Sequence, residues 1–396
     1  MTTDPIVSPA PTATARTSAT PSRIARARDA IVNARGEIAI VVAITLVAGI
    51  IRLWDLGSIP LGLHGDEAWT GLDARRINAE GWIGPYVFSA LGQPTGPLYF
   101  TALLFRYFPE TTATIRFSMA IWGVLTIPMA YLAFRAMFDR TTATFAAALL
   151  TIMTWHLHLS RTGFMVTTSP FMQMLTLWLL WLAFKRQSVG LYAAAGFAAG
   201  LGVYTYNAYL LFLPVLAVLV AWTIAAAETR RARVRFAVGV TVAIVAALIA
   251  AWPMISWARD NSYVYQYHRK VVGVTHTDEW KDGSLTDRAD ILWDRGVEWG
   301  RGLALGDRAD LGDGLATSGH PVVDPVTLSL AAAGVLIALR RIRRPEYATV
   351  LAVFPVLIWG ALPTVLDGLF RRTFGMAPFI ALLAALPLAW LWTHAR

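Results

Sequence analysis

Two neighbouring carboxylates, Asp66 and Glu67, stand in the stretch LGLHGDEAWTGLDARR at residues 61–76, just past an apolar run that ends near residue 56. A carboxylate at such a boundary is partly stripped of water and can act as a general base toward a bound hydroxyl or amine. Adjacent side chains at a helix start point about 100° apart. One of the two can therefore face a cavity while the other holds the scaffold. Cations that could meet an anionic partner lie far off in the chain: Arg161 in LHLSRTGF, and Arg371 with Arg372 in FRRTFG. Arginine presents a planar fork that makes two parallel hydrogen bonds to a phosphate. Arg161 also reads as an interface arginine with its stem in lipid, and the Arg371–Arg372 pair also as a partner of Asp367. The turn YTYNAY offers Tyr204, Tyr206 and Asn207 as a wall for a sugar or lipid chain, or as part of an aromatic belt at a membrane surface.

Composition says which elements must bring these side chains together. Of the 396 residues, 56% are hydrophobic and 15% charged, against about 25% charged in a soluble domain. Apolar runs of near-spanning length recur along the chain. They predict an all-α polytopic membrane protein with ten spans near 38–56, 115–137, 143–159, 168–184, 189–206, 208–227, 236–257, 325–340, 347–364 and 374–392. The piece TGPLYFTALLFRYF, 95–108, is too short to span and predicts an interfacial helix in a long first outer loop, 57–114. The net charge of +9 is read as charge flanking the spans rather than as a nucleic-acid surface. There is no cysteine, which excludes disulfides and thiolate metal sites. Residues 1–37, rich in Ala, Thr, Pro and Arg, predict a disordered tail, and no signal-peptide cleavage site follows the first apolar run.

Ten spans put every strong basic cluster on one side: the N-terminal arginines, Arg140, Lys185 with Arg186, Arg230 to Arg235, Arg340 to Arg344, and Arg396. That side is cytoplasmic by the positive-inside rule. The chemically unusual segments then share the outer side, together with the loop 258–324, which carries 12 acidic and 8 basic residues and predicts a small outer cap. The chain is expected to divide into the tail 1–37, a core 38–257, the cap 258–324 and three last spans in 325–396.

The ordered series DEAWTGLDARRI, GWIGPYVF, QPTGPLYFTALLFRYF, ATIRFSMAIWGVLTIPMAYLAFRAMF and HLSRTGF resembles the GT-C membrane glycosyltransferases of the protein O-mannosyltransferase and lipid A aminoarabinose transferase type. The resemblance implies transfer of a sugar from a polyprenyl-phosphate carrier to a protein, lipid or glycan acceptor on the outer side, with Asp66 as base beside Glu67. An attack assisted by one carboxylate gives single displacement with inversion, and the leaving phosphate calls for cations. Arg161, Arg371, Arg372, Gln93 and His64 are the candidates for the donor's phosphate and sugar. Two positions depart from the family: Gln93-Pro94-Thr95-Gly96-Pro97 replaces a Lys-Pro-Pro sequence, and FMVTTSP lacks the acid that relatives carry in the second outer loop.

Other readings remain open on the residues alone. A ligase using a diphosphate donor, a transporter or flippase of lipid-linked sugars, and a GT-C-like scaffold without catalysis each fit a polytopic chain. A transporter should show inverted repeats and ionisable groups at mid-depth, and the charges here gather at one face. No metal or other cofactor is expected. His64, Asp66 and Glu67, with His156 and His158 near the same surface, are the residues that could ligate a divalent ion.

Overall fold

The computed structural model describes residues 23–306, 320–365 and 368–395, with side chains from residue 35. The first helix, α1, runs Arg23–Leu53, so the tail expected to stay irregular to residue 37 is helical from Arg23. The segment RIARARDAIVNAR is rich in alanine and arginine, both strong helix formers. The chain forms two compact units, Met1–Ile40 and Val41–Arg396; all that follows concerns the second.

After α1 come α2 (Gly65–Glu80), the short strands β1 (Tyr86–Val87) and β2 (Gln93–Pro94), α3 (Gly96–Phe105) and α4 (Thr112–Met137). Next are α5 (Arg140–Ile152), α6 (Thr154–Ser160), α7 (Thr168–Arg186), α8 (Val189–Gly202), α9 (Phe212–Ala225) and α10 (Arg230–Asp260). The expected cap contains α11 (Ser262–Val272), α12 (Asp278–Asp282) and α13 (Leu285–Leu305); its residues 307–319 lie outside the described residues. The chain continues through α14 (Pro325–Arg340), α15 (Pro345–Leu357), α16 (Leu369–Arg372) and α17 (Ala377–His394). Among the described residues the sheet is limited to the antiparallel β1–β2 pair, with Tyr86 opposite Pro94 and Val87 opposite Gln93.

Six of the ten expected spans are helices long and apolar enough to cross a membrane. The segments 189–202, 325–340 and 345–360 are shorter apolar helices. The run expected to span at 143–159 is broken: Met153 leaves helical geometry at φ −58°, ψ 119° and separates α5 from α6. Hydropathy does not register that break, because Met153 is itself apolar. The expected interfacial helix is α3, which packs on α2 and α4 and buries Leu98 and Ala102.

The helices pack in pairs, α8 on α10, α14 on α17, α4 on α7 and α5 on α17. Small residues let backbones approach, as membrane interfaces require. A Cβ on Gly196 would lie 1.9 Å from the Ala243 carbonyl oxygen, and one on Gly334 would lie 2.0 Å from that of Leu383. The main core gathers Trp155, Phe134, Phe212, Phe374 and Phe379; a smaller one under α2 and α3 holds Ala74, Ile77, Leu98, Ala102 and Met119.

Segments assigned to one side by charge meet one another. Gly96 N donates to Tyr204 O at 3.1 Å, Val274 N to Pro363 O at 2.9 Å, and Trp299 Nε1 to Thr373 Oγ1 at 3.0 Å. Those assigned to the other side also meet: Trp222 Nε1 donates to Arg343 O at 3.1 Å, and the Phe138 and Tyr347 rings lie 5.2 Å apart.

Candidate active site

Glu67 is fully buried, and both of its carboxylate oxygens are taken up by hydrogen bonds from neighbouring segments. His64 caps α2: its Nδ1 accepts from Asp66 N at 3.0 Å, while Glu67 Oε2 accepts from His64 N at 2.9 Å, closing a reciprocal cap. Arg116 of α4 donates from Nε to Glu67 Oε1 at 2.8 Å and from Nη2 to Oε2 at 3.1 Å. Its remaining N–H groups reach the carbonyls of Leu56 (3.1 Å), Pro60 (2.7 Å) and Gly62 (2.5 Å). Gly163 N adds a bond to Glu67 Oε1 at 2.8 Å. One buried ion pair thus locks the loop after α1, the start of α2, the start of α4 and the 161–165 segment into one block.

Asp66, one residue earlier, points elsewhere, as the helical offset requires. Arg371 Nη1 donates to Asp66 Oδ2 at 2.6 Å, and these side chains keep 14% and 43% of their exposure. The Arg371 guanidinium also lies over the Phe164 ring, 5.0 Å from its centre, a cation–π arrangement that helps fix it. The sequence offered Asp367 as a partner for the Arg371–Arg372 pair; Asp367 is outside the described residues. The Asp66 contact, 305 residues away in the chain, carries no local signal.

This ion pair borders a cavity of about 860 Å³ whose wall includes Asp66, Gln93, Tyr206, Asn207, Arg371 and Arg372. Four other sequence candidates are not among its lining residues and are bonded to neighbouring groups. His64 is the cap just described. Glu67 is paired with Arg116. Arg161 donates to the carbonyls of Ile51 (2.7 Å), Arg52 (3.2 Å), Trp54 (2.5 Å) and Ile59 (3.1 Å), gathering the carbonyls at the C-terminal end of α1. Tyr204 Oη donates to Ala250 O at 3.0 Å and accepts from Met254 N at 3.1 Å, tying the end of α8 to α10.

The cavity also holds residues that sequence reasoning missed. Asp73 of α2 is buried, and its Oδ2 accepts from Ser89 Oγ and, at 3.2 Å, from Gln93 Nε2. Burial pushes the Asp73 carboxyl above its ordinary range, against the pull of Ser89, Gln93 and the Arg76 charge. Seven residues separate Asp66 from Asp73, close to two helical turns, so both lie on one face; that spacing was a readable signal. His268 of α11 lines the same cavity, and burial, helped by the Arg372 charge, lowers its imidazole to about 4, leaving it neutral near pH 7. The turn carrying Ser89 and Gln93 depends on Gly92 at φ +106°, with Asn207 Nδ2 bonded to its carbonyl at 3.0 Å.

Among the described residues no group of three or more His, Asp and Glu side chains could hold a metal ion. His156 is buried, with Arg52 Nη2 at 2.9 Å from its Nδ1 and its ring stacked on Phe374.

Residues 92–257 match the family described as dolichyl-phosphate-mannose-protein mannosyltransferase. That range includes Gln93, Arg116 and Arg161 but not Asp66 or Arg371. No curated protein sequence matches the chain. Among solved structures, the archaeal oligosaccharyltransferase AglB from Archaeoglobus fulgidus, in complex with an inhibitory peptide and a dolichol-phosphate, superposes with a TM-score of 0.59 at 16% identity. The match covers 91% of this chain and 51% of AglB, so the chain spans about half that protein's length. ArnT from Cupriavidus metallidurans, bound to undecaprenyl phosphate, gives a TM-score of 0.59 at 18% identity over 90% of this chain and 61% of ArnT. Its apolar helices and these likenesses together make the chain a multi-pass membrane protein with the fold of the GT-C glycosyltransferases.

Proposed function

We propose that this protein moves a sugar from a polyprenyl-phosphate donor to an acceptor at the outer face of the cell membrane, its N-terminus being cytoplasmic. The observation that carries the reading is the Asp66–Arg371 pair at 2.6 Å in the wall of a cavity that Arg372 also lines. This reading takes Asp66 as the base and Arg371 and Arg372, which line the same cavity, as the cations that match a phosphate. Support comes from the lipid phosphates that accompany AglB and ArnT in their structures.

In this mechanism the donor's phosphate binds between Arg371 and Arg372 and draws Arg371 away from Asp66. Asp66 then takes the proton of the acceptor hydroxyl or amine as that atom bonds to the anomeric carbon. The bond from carbon to the phosphate oxygen breaks, and its electron pair leaves with the lipid phosphate. The leaving phosphate gains negative charge during the step, so both arginines bind it more strongly at the transition state than in the ground state. With one carboxylate on the acceptor side, the configuration inverts. Glu67, held by Arg116, keeps α2 in place.

The test is turnover of a panel of radiolabelled polyprenyl-phosphate sugars by the purified chain in membrane extract. Loss of sugar from one donor, with label appearing on an acceptor, is the expected result and names the sugar. Saturable donor binding without turnover of any donor contradicts the reading and favours a transporter or a non-catalytic scaffold.

A further inference from the structure

The mechanism uses Asp66, Arg371 and Arg372 and leaves other polar groups of the cavity wall unexplained. Asp73, Ser89 and Gln93 form a connected group of carboxyl, hydroxyl and amide there. Asp73 and Gln93 are buried and Ser89 is half-buried, and polar side chains set in a cavity wall in this way favour a ligand that hydrogen-bonds back. Between this group and the Asp66, Arg371 and Arg372 charges, the Nδ1 of His268, next to Gly92, is buried and has no hydrogen-bond partner among the described residues. A buried polar atom in that state is costly unless something fills its valence. Above this group the wall is aromatic: Trp69 is 45% and Phe88 48% exposed, and the Phe88 ring packs against Tyr267 at 4.5 Å.

We propose that the Asp73–Ser89–Gln93 end of the cavity is an acceptor subsite that binds sugar hydroxyls, so that the acceptor of this transferase is a glycan. The proposal rests on the transferase reading above and names the substrate class of the same cavity. Carboxyl, amide and hydroxyl groups each bond to sugar hydroxyls, and exposed aromatic faces pack the C–H face of a pyranose or furanose ring. Position decides which substrate uses them. Phosphate binding at Arg371 and Arg372 fixes the donor end. An in-line displacement puts the acceptor on the far side of the anomeric carbon, beyond Asp66. Asp73 lies farther along the same face of α2, seven residues or about 10 Å of helix from Asp66. That interval leaves room for a sugar unit between the two carboxyls.

The experiment uses the full chain in lipid nanodiscs and saturation-transfer NMR with four separate probes: mannotriose, maltotriose, arabinotriose and an octapeptide of serine and threonine. Undecaprenyl phosphate binding is measured alongside. Ring protons of at least one trisaccharide should receive saturation. Its affinity should fall about tenfold or more in Trp69→Ala and in Asp73→Ala, with undecaprenyl phosphate binding unchanged in both. Trp69→Ala, at an exposed side chain, keeps the test decisive should Asp73→Ala not fold. Absence of any trisaccharide signal, preference for the octapeptide, or trisaccharide binding indifferent to Trp69→Ala would overturn the glycan acceptor. Failure of the wild type to bind undecaprenyl phosphate would instead remove the transferase reading on which the proposal rests.

Discussion

Adjacent carboxylates meet different surroundings because a helix turns about 100° per residue. Glu67 enters the protein with its side chain at 0% exposure and meets Arg116, also at 0%; Asp66 stays at the cavity with 43%. Breaking a buried pair leaves an uncompensated charge, so Glu67→Ala should lower stability by about 3–5 kcal/mol. A thermal shift in detergent checks this, and an unchanged melting temperature contradicts it. The sequence told much about residue types here. Asp66, Arg371 and Arg372 stood out by residue type and Gln93 by the family resemblance, and all four border one cavity. What it could not tell was pairing. Arg161 had the same credentials as Arg371, yet its N–H groups go to backbone carbonyls, because only the folded backbone shows which carbonyls end a helix unpaired. Arg116 was unnoticed inside an apolar run, where a lone arginine reads as a span-edge charge.

At the scale of elements, hydropathy located the helices because a spanning or core helix must be apolar on most faces. It misplaced their ends. The 143–159 run breaks at Met153, and the small β1–β2 turn that presents Ser89 and Gln93 lies in a loop with no apolar period. Close helix packing was equally hidden, since a glycine in an apolar run reads as a mild helix breaker. The structure gives it a reason: at Gly196 the backbone of α10 is within 1.9 Å of where a Cβ would be. Gly196→Val should therefore force α8 and α10 apart. The variant should show faster proteolysis and a lower melting temperature than wild type, while Gly49→Val, where a Cβ would meet nothing within 4 Å, should not.

For the whole molecule, charge asymmetry sorted the loops into two sets, and each set gathers through its own contacts. The assignment of the site's set to the outer face makes a direct prediction. The natural chain has no cysteine, so a single introduced thiol reports its own side. Leu285→Cys, at an 83% exposed side chain, should react with a membrane-impermeant maleimide in intact cells. Glu228→Cys, in an exposed position between α9 and α10, should react only after lysis. The reverse pattern would invert the topology and put the cavity inside.

The central claim is that Asp66 serves the chemistry while Arg371 serves the phosphate. Turnover and donor affinity, measured together on Asp66→Asn and Arg371→Ala with one labelled polyprenyl-phosphate sugar, test it most directly. Asp66→Asn should lose about 10²-fold or more of turnover while binding the donor at least as well as wild type, since Arg371 no longer has a carboxylate to leave. Arg371→Ala should weaken donor binding. Wild-type turnover in Asp66→Asn would contradict the account.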